Sequence, residues 1–199
     1  MSNLLPVLPI ETMFTKCAGF SHEFYLSGPV LPPENYVDWF NMFRAADVND
    51  TITIYINCPG GSLTTTIQLL RAMAECRAEI ICSVEGECMS AATMIFLRGD
   101  ILQAADHSIF MFHNYSGGTI GKGGEMYSQM IHEKMWSESL LRDVYKDFLT
   151  PAEIDGLLTN DDIWMDSDQV MERVRIMAET RIAAAQEAAA PKPKRKKKA

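Results

Sequence analysis

Val84-Glu85-Gly86-Glu87-Cys88-Met89-Ser90-Ala91-Ala92-Thr93-Met94-Ile95-Phe96 holds the turn around which the rest of the chain is organised. Just before it, Ile80-Ile81-Cys82-Ser83-Val84 is apolar and rich in branched residues, which predicts a buried strand. Gly86 is expected to break that strand, and the small residues from Ser90 to Thr93 let a helix start packed tightly on the sheet. A hydroxyl at such a junction meets free backbone N–H groups and the positive end of the helix dipole. That environment stabilises developing negative charge, as a serine attacking a carbonyl requires. By itself Ser90 reads more readily as a small residue in a tight contact. Its neighbours decide the matter.

Thr51-Ile52-Thr53-Ile54-Tyr55-Ile56-Asn57 predicts a strand, stopped by Cys58-Pro59-Gly60-Gly61-Ser62. A helix follows from Leu63 to Cys76, with Ile67, Leu70 and Met73 or Ala74 facing inward. Ser108-Ile109-Phe110-Met111-Phe112-His113 predicts a further strand. The middle of the chain is therefore β-α-β-α-β, a pattern whose parallel strands deliver their C-terminal ends to one edge. Ligands of open α/β sheets bind there. The edge collects Pro59-Gly60-Gly61, Ser90 and His113: a glycine backbone, a hydroxyl and an imidazole.

Outside this unit, Phe24-Tyr25-Leu26 reads as a first strand, and Glu34 to Ala46 as a helix with Tyr36, Trp39, Phe40 and Phe43 on its core face. Leu4-Leu5-Pro6-Val7-Leu8-Pro9-Ile10 is an apolar arm in which two prolines forbid an ordinary helix. Beyond His113 lies a glycine-bearing segment, Asn114 to Gly121, and then a long methionine-rich helix from Gly124 to Leu149. Methionine packs adaptably, which suits a subunit interface. Thr150-Pro151-Ala152-Glu153 is a capping box opening a short helix to Leu158, and Asp166-Ser167-Asp168-Gln169 is a second N-cap signature. Met177 to Ala190 reads as a weak helix running into a tail.

The 199 residues, 47% of them hydrophobic, suffice for one domain with a sizeable core. No apolar run approaches the roughly 18 residues that cross a membrane. The first residues lack a signal-peptide pattern, and the five cysteines show no CxxC pairing, so a reducing cytoplasm is the expected setting. The net charge of −8 includes +6 from residues 191–198, which leaves −14 on the remainder. That basic run reads as a solvated, disordered end; nucleic-acid contact, otherwise not expected, is confined to it.

Serine acyl transfer needs a nucleophile, a base, an orienting carboxylate and N–H donors for the oxyanion. Ser90 supplies the first and His113 the second, with the N–H groups of Gly61 and Ala91 as donors. Taken alone, His113 reads as a strand-end histidine bonded to backbone. Spacing does not select the carboxylate among Asp161, Asp162 and Asp166.

Together these residues resemble a family, the proteolytic subunit of the Clp protease (ClpP). Tyr55-Ile56-Asn57-Cys58-Pro59-Gly60-Gly61-Ser62 is similar to its Y-I-N-S-P-G-G-S segment, and Gly86-Glu87-Cys88-Met89-Ser90-Ala91-Ala92 to its G-x-A-A-S-M-G serine motif. Ile109 to His113 resembles the strand ending in the family's catalytic histidine. Asp162-Ile163-Trp164-Met165-Asp166-Ser167 resembles its D-x-F-L-[ST]-A segment, whose leading Asp completes the triad. The likeness runs from Phe24 to Val170. It implies an α/β ClpP/crotonase fold of repeated β-β-α units with a long protruding handle helix. It further implies a serine endopeptidase with Ser90, His113 and Asp162 as catalytic residues, and Gly61 and Ala91 at the oxyanion. Neither cofactor nor metal is expected in the subunit.

The implied partners are further copies in heptameric rings, stacked as a tetradecamer, and unfolded protein or peptide substrates. A ClpX-, ClpA- or ClpC-type AAA+ unfoldase, the user of ATP, would feed them in. The implied layout is an axial arm at 1–23, a peptidase domain at 24–175 and a tail at 176–199. Three departures from the family stand out. The chain between Glu11 and Phe24 is short, Asp161 replaces the arginine that pairs across the ring interface, and Ala92 replaces the motif glycine. A low-activity ring protein that modulates a host Clp protease is the alternative they leave open. A crotonase-type CoA enzyme shares the fold but needs no Ser-His-Asp set.

Overall fold

A computed structural model describes residues 19–189; the apolar arm and the lysine-rich run lie outside the described residues. The chain forms strand β1 (Ser21–Ser27), a 3-10 turn (Pro33–Tyr36), helix α1 (Val37–Ala45), β2 (Thr51–Cys58), α2 (Leu63–Glu75) and β3 (Glu79–Met89). It continues through α3 (Ala91–Leu97), β4 (Ile101–Ala104), β5 (Ile109–Phe112), α4 (Gly123–Tyr145), α5 (Pro151–Leu158), β6 (Ile163–Asp166) and α6 (Ser167–Ala189). The architecture is mixed α/β around a 6-stranded sheet in the order β1-β2-β3-β5-β6, with β4 also on β3. Every pairing is parallel except β5 with β6.

β3 differs from the sequence expectation. Instead of breaking at Gly86 it continues to Met89, because its length serves two neighbours in succession. Ile81–Val84 pair with β4, and Glu87–Met89 pair with β5. Opposite, the β2–β3 register jumps from Ile56↔Val84 to Cys58↔Cys88. Asn57 bridges the jump, its Oδ1 accepting the Glu87 N–H at 3.1 Å. A Cβ at Gly86 would stand 2.6 Å from that oxygen, so the glycine permits a close approach rather than a turn.

The β2 and β3 alternation is clean: Ile52, Ile54, Ile56, Ile80, Cys82 and Val84 are buried. α3 packs on β2, β3 and β5 and against α2 and α4, and all seven of its residues are buried. The core face of α2 is turned from the expected one. Thr65, Thr66, Leu69, Ala72 and Met73 point inward, whereas Ile67 and Leu70 are half-buried and Ala74 is exposed. The capping box at Thr150 forms as expected. Asp166 makes a reciprocal pair with Gln169, which starts α6. α6 then runs unbroken through Val174 to Ala189, so the expected boundary between 175 and 176 falls inside a helix. The expected boundary between 23 and 24 likewise falls inside a strand, since β1 spans Ser21–Ser27. Among the described residues, no helix is long and apolar enough to cross a membrane.

Candidate active site

Because β2, β3 and β5 are mutually parallel, their C-terminal ends meet at one sheet edge. Each hands a different group to it. After β2 comes Gly60-Gly61, after β3 Ser90, and after β5 His113. Ser90 Oγ lies 2.6 Å from His113 Nε2, the length of a strong hydrogen bond. Both line a cavity of about 60 Å³ with Gly61, Ala91, Leu63, Met94 and Leu141. The cavity wall from α4 (Ser137, Leu140, Leu141) was not legible in the sequence, where that helix reads only as an interface.

Ser90 adopts φ 55, ψ −126, a backbone region that non-glycine residues occupy only under constraint. The strain turns its side chain out of the strand-to-helix junction toward the imidazole. No local signal in Cys88-Met89-Ser90-Ala91 announces it. The constraint is visible around it: the Ser90 N–H donates to Met111 O at 2.8 Å, and a Cβ at Gly60 would stand 2.6 Å from Ser90 Cβ.

Gly61 needs its glycine for two reasons. Its φ is +142, and an added Cβ would lie 2.4 Å from Val30 O. Val30 donates to Gly60 O and accepts from the Ser62 N–H, so these bonds pass Gly61 by and leave its own N–H to the cavity side. Among the described backbone bonds the Ala91 N–H likewise has no acceptor. α3 has only seven residues, so its dipole is small and the individual N–H groups matter more than the helix.

Of the three acids left open by spacing, none hydrogen-bonds His113 among the described residues. β5 and β6 pair Met111↔Trp164 and Phe112↔Ile163, a register that continued by one step sets Asp162 opposite His113. Asp162 is nevertheless exposed. Asp161 donates its N–H to Gly156 O, and Asp166 serves the α6 cap.

The other nucleophile type near the site is inert. Cys58, Cys82 and Cys88 are free and fully buried. Burial raises all three thiols, Cys82 to about 12. The described residues contain no His/Cys/Asp/Glu group able to hold a metal ion.

Fold and site together define a mixed α/β protein that presents a hydrogen-bonded serine–histidine pair over a cavity of mixed polarity at its sheet edge. Residues 35–173 match the family model for Clp protease, and the chain belongs to that family. It is 36% identical over 88 residues to the ATP-dependent Clp protease proteolytic subunit of Chlorella vulgaris, covering 43% of this chain and 44% of that protein. Over 175 residues it is 27% identical to the corresponding subunit of Pleurastrum terricola, covering 71% and 85%. With the Deinococcus radiodurans subunit it shares 28% over 120 residues, 51% of this chain and 59% of that one. The chain thus spans less than half the length of the Chlorella relative and most of the Pleurastrum one.

Proposed function

We propose that this chain is a Clp-type serine endopeptidase subunit that hydrolyses peptide bonds in unfolded proteins or peptides within an oligomeric chamber. The observation that carries the reading is the 2.6 Å contact between Ser90 Oγ and His113 Nε2 at the cavity mouth. In the reaction His113 Nε2 takes the Ser90 proton as Oγ attacks the substrate carbonyl carbon. The resulting oxyanion lies on the N–H groups of Gly61 and Ala91. His113 then protonates the leaving amine, the tetrahedral species collapses to an acyl-enzyme, and water activated by the same imidazole releases the acid. In the assembled rings the carboxylate that orients His113 is Asp162, one register step beyond the last β5–β6 pair. These steps need no cofactor; ATP belongs to a partner AAA+ unfoldase. Heptameric rings, stacked in pairs, are the assembly this reading carries with it.

A second reading, a ring protein that modulates a host Clp protease, is favoured by one observation. Asp162 is exposed and makes no hydrogen bond to His113. Intact mass after fluorophosphonate treatment separates the two, on wild type and Ser90→Ala with assembly state measured alongside. A single adduct on wild type that Ser90→Ala abolishes is the expected result. Assembled rings that take up no adduct would overturn the peptidase reading and leave the modulator.

A further inference from the structure

A buried hydrogen-bond chain runs behind the nucleophile, on the side away from the cavity mouth. Thr93 Oγ1 lies 2.7 Å from Ser90 O and 2.7 Å from Tyr145 Oη. Both side chains are fully buried. A hydroxyl has one proton, and a carbonyl oxygen only accepts. Thr93 must therefore donate to Ser90 O, which leaves Tyr145 as the donor to Thr93. Burial raises the Tyr145 phenol far above its ordinary value, so it keeps that proton at any working pH. The direction of the chain is fixed: Tyr145 to Thr93 to Ser90. The Thr93 backbone N–H donates to the same carbonyl at 3.0 Å.

Ser90 C=O shares its peptide plane with the Ala91 N–H. The described chain contains no cis peptide, so this C=O and N–H point in opposite directions. Two donors gripping the oxygen therefore set where the Ala91 N–H aims. They also polarise the amide, which strengthens its N–H as a donor. Tyr145 further packs edge-on to Phe112, with ring centroids 5.6 Å apart, and Phe112 directly precedes His113. One side chain at the end of α4 thus braces the plane that carries the oxyanion donor and the strand that carries the base.

We propose that Thr93 and Tyr145 are positioning residues for the reaction, a relay that holds the Ser90–Ala91 peptide plane with its N–H aimed at the oxyanion. The inference rests on Ser90 acting as the nucleophile. Removing the relay weakens a contact made most strongly in the transition state, so it acts on kcat and spares KM.

The test compares Thr93→Val, Thr93→Ser and Tyr145→Phe in peptide hydrolysis and in the rate of fluorophosphonate adduct formation. Thr93→Val keeps the shape, loses the hydroxyl, and is expected to lower kcat about tenfold at unchanged KM. Thr93→Ser restores the hydroxyl and is expected to recover most of the rate. Tyr145→Phe removes a single oxygen from the far end and is expected to lower kcat severalfold; it keeps the test open if Thr93→Val does not fold. Wild-type kcat in both Thr93→Val and Tyr145→Phe overturns the proposal. So does a Thr93→Ser variant as slow as Thr93→Val, because packing would then be the cause. Wild type without any adduct would instead sink the peptidase reading. In that event the crystal structure of Thr93→Val still decides the relay: Ser90 keeping ψ near −126, and with it the aim of the Ala91 N–H, overturns it.

Discussion

Single residues divide into those whose chemistry the sequence displays and those whose conformation it hides. Ser90 and His113 were legible because residue type and strand ends announce them, and parallel strands bring such ends together. The φ of Ser90 was not legible, because Met111, Gly60 and Thr93 impose it from three other places in the fold. Asp162 shows the opposite limit: motif position picks it out, yet its side chain stands exposed without a bond to His113. Gly61 is the sharpest case at this scale. Alanine there is strained at φ +142 and drives its Cβ into Val30 O. Gly61→Ala is expected to cost on the order of 1–3 kcal/mol in stability and to displace the second N–H donor. Thermal denaturation alongside the rate of fluorophosphonate labelling checks both, and a variant with wild-type Tm and rate would remove Gly61 from the oxyanion role.

At the scale of elements, helix starts were read well and helix faces less well. Capping boxes are local, so Thr150–Glu153 and Asp166–Gln169 follow from sequence alone. Of the expected α2 face only Met73 is fully buried, because three threonines in its first turns obscure the apolar period and Thr65, Thr66 and Leu69 turn inward instead. The α5 cap also does more than close its own helix. Arg173 of α6 grips Glu153 through two hydrogen bonds, 2.9 and 2.6 Å, while its guanidinium lies over the Phe148 ring. That partner, with the Thr150 N–H and hydroxyl, holds the Glu153 carboxyl down at about 2, against an ordinary value of 4.5. A carboxyl held low in the folded state stabilises the fold above its unfolded pKa and loses that contribution as acid protonates it. The stabilisation is thus fully present above pH 4.5 and disappears as pH falls from 4.5 to 2. With about three-tenths of each side chain in water, it amounts to on the order of 2–3 kcal/mol. Glu153→Gln should flatten the acid limb of a urea-unfolding stability curve across that window, while an unchanged limb would contradict the assignment.

For the molecule as a whole, sequence reading succeeded where contacts are dense and failed at the edges of the domain. The parallel sheet, the long α4 and a helix over the alanine-rich stretch were foreseen, whereas the continuity of that helix with the one starting at Ser167 was not. Beyond its start at Ser167, α6 is held along its length by buried Met177 and by the Arg181–Asp147 ion pair, contacts that an alanine-rich run does not announce. α4 splits in two. Its C-terminal half is anchored by Ser137, Leu141 and Tyr145, and its N-terminal half leaves Tyr127, Met130, Ile131 and Met135 exposed. Such an exposed apolar stripe needs a partner, and under the proposed assembly that partner is a second copy. Met130→Glu combined with Met135→Glu is expected to lower the sedimentation coefficient to that of a smaller species. An unchanged boundary would place the interface elsewhere. The interior also carries an instrument of its own. Cys82 and Cys88 lie in the strand leading to Ser90 and Cys58 on the strand beside it, sealed from solvent and protonated. A thiol reagent can modify them only while the sheet gapes, so their modification rate, followed by peptide mapping, clocks the spontaneous breathing of this sheet edge in the unaltered protein.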